Sequence, residues 1–350
     1  MDYKIYHLSH TDLDGYGCQM ITNHYFKNIE FFNSNYGKEI NERITQIINA
    51  IANSEIKHNL ILITDLNLTV DQAKELESKV KINQKDVKLL LLDHHKSGQD
   101  CASEFNWYFL DDSRCATKIT YDFFSSIMGA NEKLNKLTNV INAVDIWLEN
   151  DKEFELGKVC LGLISGAKEI NRIMFPKENA EYMFSLLKKI QLYFNKKNPH
   201  IALDEAVHSI KKSFFRTDKD DTLSNLVSSY NVDLLTKNKK LMNIDYDEFR
   251  GILTYNIGNV SIIGNDFLKS NPDYDFFMDI TSRRTISLRA NGKVDVSKMA
   301  ARIGNGGGHP NASGGLLNSF KDSFVYENIK KQVEDIILTK GINKENQNGK

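Results

Sequence analysis

Residues 87–95, VKLLLLDHH, carry the clearest signal for the fold of this 350-residue chain. Four consecutive leucines between charged residues are typical of a strand that is buried on both faces, as in a parallel sheet. The run ends directly in Asp93, His94 and His95, which therefore belong to the carboxyl end of the strand. Ligands bind at that edge of open parallel sheets. The stretch predicts both a parallel sheet and a functional site at its rim.

Two further strands are predicted upstream of this one. YKIYHLS (3–9) reads as the first strand, and NLILIT (59–64) is another short apolar run. Between them, isoleucines over residues 40–51 recur at helical spacing. Strands that alternate with helices in this way predict βαβ units and a parallel sheet.

Helix-end signals extend this pattern. Thr69 and Gln72 form a capping-box signature for the helix that follows residues 59–64. Asp112 is a candidate N-cap for a helix that runs from Ser113 towards Gly129. These signals place helices after the second and third predicted strands.

The remainder of the chain separates into a helical part and a second α/β part. Residues 131–243 are mostly helical by pattern, whereas RGILTYNI, YDFFMDI and TISLRA read as strands before the glycine-rich GNGGGHPNASGG (304–315). We therefore expect an α/β protein with a parallel-sheet catalytic domain over residues 1–200, a helical connector over 201–245, a smaller α/β substrate-binding domain over 246–338 and a disordered tail over 339–350.

Composition and charge limit the classes of function. The formal net charge is -1, whereas proteins that hold long nucleic acid usually carry a basic excess. Four scattered cysteines without a CxxC pair indicate reduced thiols. We find neither a signal-peptide pattern nor an apolar run long enough to cross a bilayer. We expect a cytoplasmic protein without a membrane partner or a stable complex with long nucleic acid, and the charge still allows a short phosphorylated ligand that a local cluster can hold.

Carboxylates and imidazoles gather at the ends of the three predicted strands. This set lacks a thiolate, so it suits Mn²⁺ or Mg²⁺, with zinc or iron open through the histidines. Five or six ligands are too many for one catalytic ion, whereas two ions about 3.5–4 Å apart would use them all. The ligand candidates are Asp12, Asp14, Asp65, His94, Asp145 and, as a sixth, His10.

Other interpretations of DLDG (12–15) exist. A solvated turn is favoured by the same residue types. An EF-hand is excluded because no third oxygen ligand precedes Gly15 in the required register. A haloacid-dehalogenase-like site would make Asp12 a covalent nucleophile, but it leaves residues 93–95 and the glycine-rich stretch without a role. Trp147 in NAVDIWL, two residues after Asp145, is interpreted as a packing residue rather than one on which a substrate stacks.

The motifs HTDLDG, ITDLN, LLDHH and NAVDIW, in this order, resemble those of the DHH phosphoesterase family, and GNGGGHPNASGG resembles the signature of its associated C-terminal domain. The resemblance implies one ion on Asp12 and a second on Asp14, with Asp65 between them and His94 and Asp145 completing the second. It implies that His95 contacts the scissile phosphate or assists the leaving group, and that Asp93 orients His94. Several branches place the first histidine four residues before the first aspartate, whereas His10 stands two before Asp12, so the role of His10 is left open.

The glycine-rich stretch offers adjacent backbone amides that can hold an anion. SLRA together with GGGH resembles the substrate-binding pair of the family. The candidates for holding a terminal phosphate or a nucleobase are therefore Arg289, Gly307, Gly308 and His309, with Arg283 and Arg284 as further candidates unless they are ordinary surface arginines.

These expectations define a two-metal, Mn²⁺-dependent phosphodiesterase. It would hydrolyse short oligonucleotides or (cyclic) dinucleotides to mononucleotides by a hydroxide that bridges two ions, for which Mg²⁺ or another divalent ion is an alternative. The other functions considered are a single-strand-specific 5′-exonuclease on longer DNA or RNA, a phosphoadenosine phosphate phosphatase and a non-enzymatic nucleotide sensor. A homodimer is compatible with the sequence.

Overall fold

The computed structural model describes residues 3–83, 85–218 and 220–342. It divides the chain into two compact units, one made of residues 1–167 and 176–210 and the other of residues 168–175 and 211–350. Each unit contains its own β-sheet. The predicted α/β class is confirmed, whereas the domain boundaries at residues 200, 245 and 338 stay predictions.

The first unit is built on a five-stranded sheet in which every strand pair is parallel, in the order β2-β1-β3-β4-β5. The first part of the chain alternates strands and helices, and a run of helices follows. The elements are β1 (Lys4–Ser9), α1 (Leu13–Tyr25), β2 (Ile29–Asn33), α2 (Lys38–Asn53), β3 (His58–Thr64), α3 (Val70–Ile82), β4 (Asp86–Asp93), α4 (Gln99–Glu104), β5 (Tyr108–Leu110), α5 (Ala116–Met128), α6 (Glu132–Asp145), α7 (Phe154–Ser165), α8 (Pro176–Ile190) and α9 (Pro199–Phe215).

The two faces of this sheet bury different helices because side chains alternate along a strand. Tyr6 and Leu8 of β1 pack in one core cluster with α2 and α3, the helices that carry the predicted isoleucine stripe and the predicted capping box. Ile5 belongs to a second cluster, which it shares with Ile119 and Phe124 of α5. Helices therefore cover both faces of the sheet, so a ligand can reach the sheet at the ends of its strands.

Two details of the first unit differ from the sequence-based expectation. β2 was not predicted, because it is an edge strand whose residues are all half-buried and show no alternation. The proposed Asp112 cap is wrong, since α5 begins at Ala116 with Cys115 as its N-cap. Asp111 instead accepts hydrogen bonds from Ser113, which closes a turn ahead of the helix.

The second unit has a six-stranded sheet in the order β10-β11-β9-β8-β7-β6, in which β7 and β8 are parallel and the other pairs antiparallel. The predicted strands and the short helix before the glycine-rich stretch are all present. The elements are α10 (Leu223–Met242), β6 (Asn243–Tyr246), β7 (Phe249–Tyr255), α11 (Val260–Ser270), β8 (Phe276–Ile280), β9 (Thr285–Ala290), α12 (Val296–Gly304), β10 (Gly307–His309), β11 (Ala312–Leu316) and α13 (Tyr326–Ile342).

Three broader expectations can be compared with this architecture. The four cysteines are free and buried, as reduced thiols in a core would be. Within the described residues, no helix has the length and apolar character required to span a bilayer. Residues 343–350 of the predicted disordered tail lie outside the described part of the chain.

Candidate active site

The register of the parallel sheet aligns three strand ends. Ser9 of β1 pairs with Thr64 of β3, and Thr64 pairs with Leu92 of β4. The next residue along each strand is therefore His10, Asp65 or Asp93, at one level of the sheet. A site at this edge follows directly from the strand pairing.

Asp12 and Asp14 are held by helix starts. Asp12 is the N-cap of α1 and accepts a hydrogen bond of 3.0 Å from the amide of Gly15. A side chain at Gly15 would come within 2.4 Å of the His10 carbonyl oxygen, so only glycine allows the turn. Asp14 is 1% exposed, and its two carboxylate oxygens accept from the amides at the start of α5 at 2.8 Å each. A helix N-terminus stabilises such a buried carboxylate.

The predicted ligands converge around Asp65. His10 Nδ1 lies 2.7 Å from Asp12 Oδ2 and 3.8 Å from Asp65 Oδ2. His94 Nε2 lies 3.4 Å from Asp65 Oδ1, 3.7 Å from Asp14 Oδ2 and 3.5 Å from Asp145 Oδ2. Each oxygen of Asp65 thus faces a different group of ligand atoms.

Burial and like charges act strongly on these carboxylates. Burial, together with the charges of Asp14 and Asp12, raises the pKa of Asp65 well above its usual value. The same causes raise the pKa of Asp145 to about 9. Burial also lowers the pKa of His94 below its ordinary value. Without a cation, the cluster therefore resists full ionisation of its carboxylates.

One ligand atom in this cluster, the buried Asp65 Oδ2, has no hydrogen-bond partner among the described residues. His10 Nδ1, which is also buried and makes no hydrogen bond within that part of the chain, has its near contact at 2.7 Å to Asp12 Oδ2. Such orphaned polar atoms are costly unless something else pairs with them. The described residues contain three groups of ligand atoms, and within each group the atoms lie within 4.8 Å of one another; two of the groups share Asp65. The donor set and its orphaned atoms fit divalent cations, and the groups are Asp65-His94-His95, His10-Asp12-Asp65 and Asp14-Cys115-Asp145.

His95 is fixed from two sides. Its Nδ1 lies 2.7 Å from Asp93 Oδ1, and the hydroxyl of Tyr108 donates to the other Asp93 oxygen at 2.7 Å. The Tyr36 hydroxyl lies 3.0 Å from His95 Nε2. Burial alone would lower the pKa of His95, but the hydrogen bond to Asp93 and the surrounding carboxylates raise it above its ordinary value. In the structure Asp93 therefore contacts His95, whereas the sequence-based expectation paired Asp93 with His94.

Two residues at the site were missed by sequence reasoning. Tyr36 follows the unpredicted strand β2, and its ring centroid lies 4.7 Å from that of His10. Cys115 has its sulfur near Asp14 and Asp145, and burial raises the pKa of its thiol well above the usual value. Neither residue belongs to a motif, and only the strand pairing and helix packing place them here.

In the second unit, the glycine-rich stretch is a β-hairpin, not an open loop. Gly307 to His309 form the edge strand β10, which pairs with β11. His309 pairs with Ala312, and Ala312 pairs with Arg289, so the three residues form one row across the sheet. Side chains in such a row share a face, and strand spacing puts His309 and Arg289 about 10 Å apart.

The remaining arginine candidates lie elsewhere. Arg283 and Arg284 belong to the turn before β9, at the end of that strand opposite to Arg289. Arg284 and Arg289 are five residues apart, about 16–17 Å along the strand, and it is Arg289 that lies in the row of His309, whereas Arg284 lies beyond the far end of β11. The Arg284 guanidinium contacts the Asn318 carbonyl oxygen at 3.4 Å, whereas the Arg289 guanidinium donates to Ser261 at 2.6 Å. The structure thus groups Arg289 with Gly307, Gly308 and His309, but not Arg284.

The tryptophan that was interpreted as packing is exposed. Trp147 lies just after the end of α6, and 57% of its surface is accessible. Its indole nitrogen donates to Glu149 at 2.8 Å, and its ring contacts the Phe154 ring at 5.1 Å in an edge-on geometry. The packing interpretation was wrong because α6 ends two residues earlier and the chain turns Trp147 outwards.

Comparison with known proteins identifies the family. Residues 4–144 match the family model described as "DHH family, N-terminal domain". The chain is 42% identical over 342 residues to a 3′,5′-cyclic-nucleotide phosphodiesterase of Helicobacter pylori, covering 95% of this chain and 98% of that protein. It is 28% identical over 340 residues to oligoribonuclease NrnB of Bacillus subtilis, covering 92% and 76%.

A solved structure extends the likeness to the whole chain. The crystal structure of an uncharacterized protein from Helicobacter pylori G27 superposes with a TM-score of 0.92 at 41% identity and covers 97% of this chain and 100% of that one. The resemblance read from the motifs is confirmed, and this chain belongs to the DHH family.

Proposed function

We propose that this protein is a two-metal phosphodiesterase that hydrolyses short oligonucleotides or cyclic and linear dinucleotides to mononucleotides. One observation carries the proposal: buried Asp65 directs Oδ2 towards His10 and Oδ1 towards His94, as a carboxylate between two cations would. Family membership supports it. The names of the two relatives, a cyclic-nucleotide phosphodiesterase and an oligoribonuclease, support cleavage of phosphodiester bonds in small nucleotides.

The candidate ligands would divide into two sets, one for each cation. His10 and Asp12 with Asp65 Oδ2 would hold one ion, and Asp14, His94 and Asp145 with Asp65 Oδ1 would hold the other. Oxygen-rich sites with one imidazole each suit Mn²⁺, with Mg²⁺ as the alternative. When bound, such ions supply Lewis acidity to the phosphate and activate water.

The proton chemistry belongs to His95. Because Asp93 holds Nδ1, Nε2 is the nitrogen left for a substrate, whose leaving oxygen would take the position that the Tyr36 hydroxyl occupies at 3.0 Å. The raised pKa of His95 favours its protonated form, and a protonated Nε2 can donate to the leaving oxygen of the ester. We assign His95 as the general acid, with Asp93 setting its orientation.

A single assay compares the candidate functions. Purified protein with Mn²⁺, Mg²⁺ or EDTA is incubated with 3′,5′-cyclic AMP, linear and cyclic dinucleotides, phosphoadenosine phosphate, and RNA and DNA strands of about five and about 20 nucleotides. We expect metal-dependent turnover that is fastest on cyclic nucleotides and dinucleotides. Faster cleavage of the longest strands would favour the exonuclease instead, and phosphate release from phosphoadenosine phosphate alone would favour the phosphatase.

Substitution of two arginines at opposite ends of β9 tests whether the second unit binds the substrate. Arg289→Ala removes the guanidinium beside the glycine-rich hairpin, whereas Arg284→Ala removes one at the opposite end of β9. Loss of one charged phosphate contact should raise KM roughly 10-fold or more in the first variant. We expect Arg284→Ala to keep the wild-type KM, and equal changes in both would remove Arg289 from the substrate site.

A further inference from the structure

Trp147 occupies a backbone position that normally belongs to glycine. α6 ends at Asp145, Ile146 is its C-cap, and Trp147 has a φ of 58°. The amide of Leu148 donates to the Ala143 carbonyl at 2.8 Å, which closes the turn at the helix end. This is the Schellman arrangement, whose left-handed residue is usually glycine because a Cβ there costs about 1–2 kcal/mol.

Packing does not account for a tryptophan at this position. More than half of the Trp147 surface is exposed, and its ring meets the Phe154 ring edge-on at 5.1 Å. Its hydrogen bond to Glu149 fixes the indole without burying it. A strained backbone and an exposed large aromatic ring together oppose stability, and such outliers cluster at functional sites.

The position relative to the catalytic cluster suggests the ligand. Trp147 lies two residues after Asp145, so their Cα atoms are at most about 7 Å apart. The Asp145 carboxylate lies 3.5 Å from His94 in the cluster. A phosphate bound there carries a nucleoside on each side, and a nucleobase presents a flat face that stacks on indole rings.

We propose that Trp147 is a specificity-determining residue on whose exposed face a nucleobase of the substrate stacks. This inference rests on the proposed function, because it supplies the base that a nucleotide phosphodiester brings to the cluster. The left-handed conformation turns the ring out of the helix layer and the Glu149 contact holds it there. A base contact of this kind would explain why tryptophan stands where glycine would be less strained.

Fluorescence tests the contact without turnover. The chain has two tryptophans, and Trp107→Phe leaves Trp147 as the remaining reporter. Adenosine 5′-monophosphate and guanosine 5′-monophosphate should quench this fluorescence in a saturable way, whereas ribose 5-phosphate, which lacks the base, should not. Equal quenching by ribose 5-phosphate, or no quenching by the nucleotides, overturns the proposal.

The variant series separates binding from stability. Trp147→Gly should raise the KM for a dinucleotide roughly 5- to 150-fold, since stacking contributes about 1–3 kcal/mol per base, with kcat largely unchanged. Its melting temperature should equal or exceed that of the wild type, because glycine suits the left-handed position. Trp147→Phe should restore part of the affinity.

Two results identify different errors. A lower melting temperature with a matching loss of kcat in Trp147→Gly would show that Trp147 has a purely structural role, and it would overturn the proposal that a nucleobase stacks on its ring. If the wild-type protein cleaves none of the nucleotides, the proposed function fails. The fluorescence titration then still decides whether Trp147 contacts a base, because it does not depend on hydrolysis.

Discussion

Two buried aspartates, one in each unit, differ in how their charge is satisfied. Asp65 and Asp279 are each 2% exposed, and burial raises the pKa of both. Asp279 accepts hydrogen bonds from the Thr254 hydroxyl at 2.7 Å and the Ile257 amide at 3.1 Å. Asp65 keeps one oxygen without a partner among the described residues. Burial alone therefore does not mark a functional site.

Backbone strain and like charges complete the contrast. Asp65 has a left-handed φ of 56°, which is uncommon for a residue other than glycine. Asp12 and Asp14 add repulsion, which burial strengthens. Asp279 belongs to the regular strand β8. The conformation and surroundings of Asp65 therefore lower the stability of the fold, whereas those of Asp279 do not. This is expected at a site where a ligand supplies the missing interaction.

The largest effect we expect separates these two residues by activity. Asp65→Asn removes the carboxylate that faces both ligand groups and should lower turnover by about 10³-fold or more. Asp279→Asn keeps the shape of a buried acceptor and should retain turnover. Steady-state hydrolysis of a dinucleotide measures both, and similar losses in the two variants would contradict the comparison.

The second prediction concerns pH and the stability of the second unit. The pKa of Asp279 is raised from 3.8 to about 7. Between these values the folded chain holds a proton that the unfolded chain has released, so the free energy of unfolding falls as pH rises and levels off above about pH 7. The loss amounts to at most a few kcal/mol.

Asp279→Asn lacks this titration and serves as the reference. Urea unfolding at about pH 5 and about pH 8 should show that the wild type loses more stability than the variant between the two. Other groups titrate in both proteins, so the difference between them isolates Asp279. Parallel changes would show that its proton is not retained in the folded state.

The third prediction concerns the metal. Mn²⁺ at a large excess over its dissociation constant should stabilise the wild type by about 2–3 kcal/mol and raise its Tm by several degrees. Asp65→Asn should respond much less, whereas Asp279→Asn should respond as the wild type does. With EDTA, Asp65→Asn should melt at or above the wild-type temperature because the substitution removes a buried carboxyl group whose ionisation Asp12, Asp14 and burial oppose. An equal Mn²⁺ shift in Asp65→Asn would remove Asp65 from the metal site.

The same contrast explains what the sequence could predict. Strand ends that carry Asp65 and Asp93 are visible as apolar runs that stop at acidic residues, so the gathering of these side chains in one cluster was predictable. Sequence spacing does not show which partner a side chain selects. Asp93 contacts His95 rather than His94, because the turn after β4 directs the two imidazoles differently.

The residues that were missed or misjudged are those whose position depends on strand pairing or backbone conformation. Tyr36 reaches the site because β2 pairs with β1, and this edge strand has no periodic pattern. Trp147 was interpreted as a packing residue, and its left-handed backbone is not visible in the sequence. Arg284 was a weaker candidate than Arg289, and strand β9 places the two at opposite ends.

The smallest effect we expect concerns the hydrogen-bond chain Tyr36–His95–Asp93–Tyr108 and compares its two ends. Tyr36 is 42% exposed, whereas Tyr108 is 5% exposed. Tyr36→Phe removes the hydroxyl 3.0 Å from His95 Nε2. Losing one such hydrogen bond costs about 0.5–1.5 kcal/mol, so we expect a fall in kcat of roughly 2- to 12-fold with little change in Tm.

Tyr108→Phe is the matched control at the buried end. It removes the donor to Asp93 Oδ2 and leaves a buried carboxylate oxygen without that partner, so it should lower the Tm more than Tyr36→Phe does. Thermal unfolding and steady-state kinetics of the two variants test this division. If Tyr36→Phe destabilised the fold as much as Tyr108→Phe while leaving kcat unchanged, Tyr36 would support the loop rather than orient His95. The predicted division, in which the exposed Tyr36 hydroxyl affects kcat and the buried Tyr108 hydroxyl affects Tm, requires that His95 and Asp93 already have their catalytic orientation before the substrate binds.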